Sequence, residues 1–136
     1  MNKSYEDLRV WQKSLALAKR VYLLTQPFPG EERYGLTQQI RRSVVSVASN
    51  IAEGCGRNSR REFFQFLGIA SGSVAELHTQ LLIAKEIGYL NPEDFSGIMT
   101  DLNDVAKMLS GLKSSLNKAK LELVTSNEQL ATSNDI

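Results

Sequence analysis

Apolar residues recur along this chain at three- and four-residue spacing in four stretches, and no segment alternates long enough to read as a strand. The first stretch opens at Ser4, a side chain able to cap with Asp7 three residues on. It runs to about Thr25, where "QPFPG" stops it. Leu8, Trp11, Leu15, Ala18 and Tyr22 form one stripe on it, and Val10, Leu17, Val21 and Leu24 form another on nearly the opposite side. The second helix is read from Leu36 to Gly54, with Leu36, Ile40, Val44, Val47 and Ile51 toward the core.

The third helix begins at "SRRE", a capping-box signature of Ser59 and Glu62, and continues to about Ile87. Phe63, Leu67, Ala70, Val74, Leu77 and Leu81 make its core stripe, and Gly68, Gly72, Ala75 and Thr79 mark the other side. Helix-interior glycines cost roughly 1 kcal/mol each against alanine, so close approach by another backbone is expected there. The fourth helix opens at "NPED", with Asn91 as cap and Pro92 at the first helical position; Phe95, Ile98, Leu102, Val105, Leu109 and Leu116 form its single stripe. Residues 124–136 are polar and aperiodic and are expected to be a disordered tail.

Helices at about 5–25, 36–54, 60–87 and 92–122, joined by short links, predict an all-α fold. The arrangement expected is an antiparallel, up-down-up-down, left-handed four-helix bundle over residues 1–123. The surplus apolar faces on the first and third helices predict self-association, unless the first helix packs asymmetrically and hides both stripes within one subunit.

Composition narrows the class. A chain of 136 residues, 42% hydrophobic, fits one domain with a real core. Its one cysteine cannot form an internal disulfide, no signal-like run opens the chain, and no apolar stretch approaches the roughly 20 residues of a membrane span. A cytoplasmic protein without a membrane partner is the expectation. The net charge of +1 hides an asymmetry: residues 1–68 hold eleven cations against six anions, and the remainder is acidic. Arginine dominates the basic half, and its planar fork suits phosphate or carboxylate. Solvated helix faces and internal ion pairs would produce the same pattern.

The densest cluster of special residues is "NIAEGCGRNSRREF", residues 50–63. Its "GCGRNS" follows a helix rather than a strand and has Ser59 where a dinucleotide fingerprint needs a third glycine. No P-loop occurs. Cys55 follows the negative end of a helix, which opposes a thiolate, and His78 is the only histidine that could serve it as a base. One Cys and one His cannot furnish a zinc site, and the inward glutamates of a di-metal bundle are absent. The reading is therefore no enzyme, no cofactor, no metal and no small-molecule substrate.

Electrostatics remain. Glu53, in the last turn of the second helix, is disfavoured there and calls for a cation, with Arg57, Arg60 and Arg61 nearest. Arg41 projects within an apolar arc and needs a partner, for which Glu76 is the candidate. Asn50, Glu53, Arg41 and Glu76 are thus read as a structural polar network. Arg57, Arg60, Arg61 and Arg42 are the candidates for nucleic-acid phosphates, the first three beside a helix N-terminus that helps hold an anion.

The run from "YGLTQQIRRS" through "NIAEG" to "GSVAEL", with "YEDLRVWQKSLALAKRVY" before it, resembles a four-helix-bundle family. That family includes the proteins encoded by intervening sequences within bacterial 23S rRNA genes. The likeness covers about residues 5–115, and "NIAEG", Asn50 to Gly54, is its most diagnostic element. It implies an antiparallel bundle that assembles as a ring-like homopentamer, in a family most of whose members have no established activity. A related branch, the accessory variability determinant of diversity-generating retroelements, works with a reverse transcriptase and nucleic acid through a basic surface; this chain departs from it in its near-neutral total charge. The expected role is a non-enzymatic oligomeric interaction protein binding structured RNA or DNA through arginines. The alternative is a protein-binding adaptor or assembly platform with no nucleic-acid role.

Overall fold

Each helix end needs partners for backbone groups that the helix cannot satisfy itself, and the ends here are set by a few side chains and glycines. The computed structural model describes the backbone of residues 4–134 and the side chains of residues 4–117. Four helices follow one another: α1 (Arg9–Thr25), α2 (Leu36–Cys55), α3 (Arg60–Glu86) and α4 (Pro92–Asn134). The helix of α4 continues beyond the end expected near 122. The expectation of a disordered tail at 124–136 falls outside the described side chains.

Ser4 does cap, but not α1. Its Oγ accepts the Glu6 amide at 3.2 Å and opens a 3-10 turn at Tyr5–Asp7. Leu8 is then extended, so α1 starts at Arg9. Ser59 Oγ accepts the Glu62 amide at 3.1 Å and Asn91 Oδ1 accepts the Asp94 amide at 2.8 Å, so α3 and α4 begin where expected. At the end of α3, Gly88 takes φ +87°. The Gly88 amide reaches the Lys85 carbonyl and the Tyr89 amide the Ala84 carbonyl, which is the Schellman pattern.

Around the bundle, α2 packs on α1 with one flank and on α3 with the other, and α4 closes the ring against α3 and α1. The diagonal pairs do not meet, as an up-down-up-down bundle requires. Leu17 and Val21 of α1, Ile40, Val44, Val47 and Ile51 of α2, Leu67, Leu77 and Leu81 of α3, and Ile98, Val105 and Leu109 of α4 fill the core.

The two stripes of α1 are not equivalent. Val10, Leu17 and Val21 are buried, whereas Leu15 and Tyr22 of the other stripe are exposed. Ser14 and Thr25 complete the buried row. Their hydroxyls donate to the Val10 and Val21 carbonyls at 2.7 and 2.9 Å, which removes the penalty of burying them. Asymmetric packing thus hides one stripe and half-buries Leu8, Trp11 and Ala18 of the other.

The glycines of α3 behave differently from expectation. A Cβ at Gly68 or Gly72 would meet nothing within 4 Å among the described residues, so none of their backbone approaches these glycines. The tight contact lies instead at Gly54, in the last turn of α2. A Cβ there would stand 2.6 Å from Phe66 Cβ and 3.0 Å from Phe63 Cδ1. Phe66 Cβ sits one bond from its backbone and cannot rotate away. Gly54→Ala should therefore lower the thermal midpoint, because overpacking of about 1–3 kcal/mol exceeds the roughly 1 kcal/mol that alanine gains in a helix. Gly111→Ala, at an open exposed position of α4, should raise it. Thermal unfolding followed by circular dichroism measures both, and equal shifts in the two variants would contradict the contact.

Candidate nucleic-acid interface

The corner between α2 and α3 gathers three of the four arginines expected to meet phosphate. Arg57 Nη2 lies 2.8 Å from Glu53 Oε1, and its guanidinium stands 4.9 Å from the centre of the Phe66 ring. Glu53 thus has the cation that its position demanded, and Arg57 is held by both neighbours. Arg60 and Arg61 are exposed in the first turn of α3 and, among the described residues, form no ion pair. Their charges lie at the end of a helix whose dipole also favours an anion.

Arg42 is elsewhere. Thirteen residues of helix separate it from Cys55, so it sits about 20 Å back along α2. There it lines a groove of about 540 Å³ with Arg33, Arg41, Tyr22 and Tyr34. Arg33 and Tyr34 were not among the residues singled out from the sequence. The available signal was an arginine and a tyrosine side by side in a connecting loop, where binding residues concentrate. The loop is well anchored. Glu32 Oε1 accepts the Leu36 amide at 3.3 Å and Oε2 accepts the Tyr89 hydroxyl at 3.2 Å. Burial, then the hydrogen bond and charge of Glu32, push the Tyr89 pKa above its usual 10.0, so the phenol remains a donor.

The expected network of Asn50, Glu53, Arg41 and Glu76 separates into independent groups. Asn50 Nδ2 donates to the Ser46 carbonyl at 2.8 Å and to Ser46 Oγ at 2.9 Å, and Ser46 Oγ pairs with Ser73 Oγ of α3 at 2.8 Å. Arg41 does not reach Glu76. Its Nε donates to Thr25 Oγ1 at 2.9 Å and Nη2 to the Tyr22 carbonyl at 3.3 Å, and its Cζ lies 4.6 Å from the centre of the Tyr22 ring. The cause is angular: Arg41 is on the flank of α2 that faces α1, while Ser46 and Asn50 are on the flank that faces α3. A cation at the C-terminal end of α1 also meets the negative end of that helix. Glu76 is exposed and lines a second groove with Arg42, Ser46 and Gln80, in which Gln80 Oε1 is buried without a partner among the described residues.

Neither thiol nor imidazole joins these groups. Cys55 is half-buried at the corner, and the helical rise puts His78 about 27 Å along α3 from Arg60. Among the described residues no group of three His, Cys, Asp or Glu side chains could hold a metal ion, and no helix is long and apolar enough to cross a membrane.

Arg41 and Arg57 should differ in their effect on stability. Replacing Arg41 by methionine removes the donor to the buried Thr25 hydroxyl oxygen and one of the two side-chain donors to the Tyr22 carbonyl, and should cost about 1–3 kcal/mol. Arg57→Ala, which removes an exposed pair four residues apart, should cost below about 0.5 kcal/mol. Urea unfolding of both variants decides; an Arg57 effect as large as that of Arg41 would show that the corner pair, not the helix-end contact, is the structural one.

A family model described as 23S rRNA-intervening sequence protein matches residues 6–111. Among solved structures, the chain is similar to a protein of unknown function from the S23 ribosomal protein family of Bacteroides thetaiotaomicron. The two share 27% identity with a TM-score of 0.69, over 76% of this chain and 97% of the other. No curated protein matches.

Proposed function

Because the chain belongs to the 23S rRNA-intervening sequence protein family, we propose that it is a non-enzymatic, self-assembling bundle that holds structured RNA or DNA by its phosphates. The observation that carries this reading is the balance left after internal pairing. Glu53 takes Arg57 and Asp101 takes Arg20, while Arg33, Arg42, Arg60 and Arg61 have no carboxylate partner among the described residues. Repetition of these cations by symmetry, in the homopentamer that the family resemblance implies, would turn a few charges per subunit into a continuous basic surface. Most of the affinity then comes from phosphate contacts and counterion release.

Self-assembly draws support from the outward face of α3. Ile69 is 52% exposed, Ile83 46% and Ile87 52%, and a Cβ at Gly68 or Gly72 would likewise meet open space. An apolar helix face of that kind calls for cover. The same face would serve a protein-binding adaptor, the second reading, in which the arginines have no ligand. The compartment we propose is the cytoplasm, where nucleic acid is accessible.

Two measurements test these statements. Filter binding of a structured RNA at about 50 and 200 mM salt should show steep weakening, and the double variant R60A/R61A should lower the salt slope by about 1 for each lost phosphate contact. Absence of binding at the lower salt sinks the nucleic-acid reading and favours the adaptor. For assembly, native mass spectrometry at micromolar concentration should give a multiple of the subunit mass, and Ile83→Asp should shift it to the monomer without loss of helical signal. A wild-type monomer would refute self-association.

A further inference from the structure

We propose that the groove between α2 and the loop preceding it receives one unpaired nucleotide of a bound strand, with its phosphate on Arg33 and Arg42 and its base on Tyr34. The proposal rests on the nucleic-acid reading above and adds to it a second kind of contact, made to a base instead of the backbone.

Tyr34 is the first reason. It is 82% exposed, more than any other large hydrophobic side chain described, and it joins neither of the aromatic pairs in the subunit, Tyr5 with Trp11 and Phe28 with Tyr89. An aromatic ring held in water on an anchored loop is a stacking platform without its partner, and nucleic-acid bases stack on such rings whatever their sequence. The loop is anchored through Glu32, which accepts from both the Leu36 amide and the Tyr89 hydroxyl. That engagement also occupies the neighbouring half-buried carboxylate, and Arg33 forms no ion pair among the described residues.

Charge placement gives the ligand its orientation. Arg41 forms a fixed wall, its guanidinium already locked against Tyr22 and Thr25, while Arg33 and Arg42 keep their donors for a ligand. Two arginine forks suit the tetrahedral oxygens of a phosphate. The adjoining groove carries Glu76 and repels an anion, so the phosphate belongs at the Arg33 end. The volume, about 540 Å³, falls within the roughly 300–1,000 Å³ of small-ligand clefts. A base inside a duplex keeps its faces stacked on its neighbours and cannot lie on Tyr34, so the occupant is a looped-out or single-stranded nucleotide.

The test compares two RNA hairpins with the same stem, one closed by an extended uridine loop and the other by a minimal loop without free bases. Fluorescence anisotropy with the full chain at low salt reads both. Tyr34→Ala should weaken the uridine-loop hairpin about tenfold, the size of one lost base stack, and leave the other hairpin unchanged. Tyr34→Phe should restore the preference, and R60A/R61A should weaken both hairpins alike. If Tyr34→Ala leaves the ratio of the two affinities unaltered while R60A/R61A still weakens binding, the nucleotide site is wrong and the general phosphate reading stands. If wild-type protein binds neither hairpin, both fall together.

Discussion

The packing of α2 on α3 depends on Gly54, where a hydrogen in place of a side chain lets Phe63 and Phe66 lie directly on the last turn of α2. Small side chains continue this seam: Ser43 and Ser46 on α2 face the stretch of α3 that carries Ala70 and Ser73, and the Ser46 and Ser73 hydroxyls bond across it. Two helices drawn this near form the most extensive contact in the molecule. Several consequences follow from that one constraint. The Phe66 ring comes within reach of Arg57, which can then hold Glu53 from a position four residues away. With Arg57 so engaged, Ser59, Arg60 and Arg61 are presented outward at the start of α3.

Arginine is used here for two different tasks, and helical angle decides which. Arg20 joins α1 to α4 through Asp101, Arg41 closes the C-terminal end of α1, and Arg57 fastens the corner. Each points along a seam between elements and finds an acceptor in the protein. Arg42 follows Arg41 directly, yet a rotation of about 100° carries it out of the seam with α1 and into the groove beside Tyr34. Among the described residues, four of the five arginines without a protein acceptor, Arg33, Arg42, Arg60 and Arg61, are on α2, its preceding loop and the first turn of α3; the fifth, Arg9, opens α1. A near-neutral chain can therefore present a locally basic surface, because its acidic residues are concentrated in the second half.

The apolar residues divide in the same way. One face of α3 supplies Leu67, Leu77 and Leu81 to the core, and the opposite face offers Ile69, Ile83 and Ile87 to the outside. A bundle of four helices gives each helix only two neighbours, so a helix that is apolar on both sides has surface to spare. On α1 the balance falls differently, since Ser14 and Thr25 complete the buried row by satisfying their hydroxyls on their own helix.

What the sequence determined by itself was local in origin. The 3,4 spacing of Ile40, Val44, Val47 and Ile51, the caps at Ser59 and Asn91, and the "NIAEG" element were legible because each depends on residues within a turn or two of one another. The demand of Glu53 for a cation was legible for the same reason, its partner being four residues away. Tertiary structure alone decided which stripe of α1 is buried, that Gly54 and not Gly68 or Gly72 carries the close contact, and that Arg41 binds Thr25 and Tyr22 in place of Glu76. It also brought Arg33 and Tyr34 beside Arg42. The physical reason is common to all four. Spacing along a helix states which side chains share a face, but the element that covers that face, and so the acceptor or empty space each side chain meets, exists only once the helices have packed.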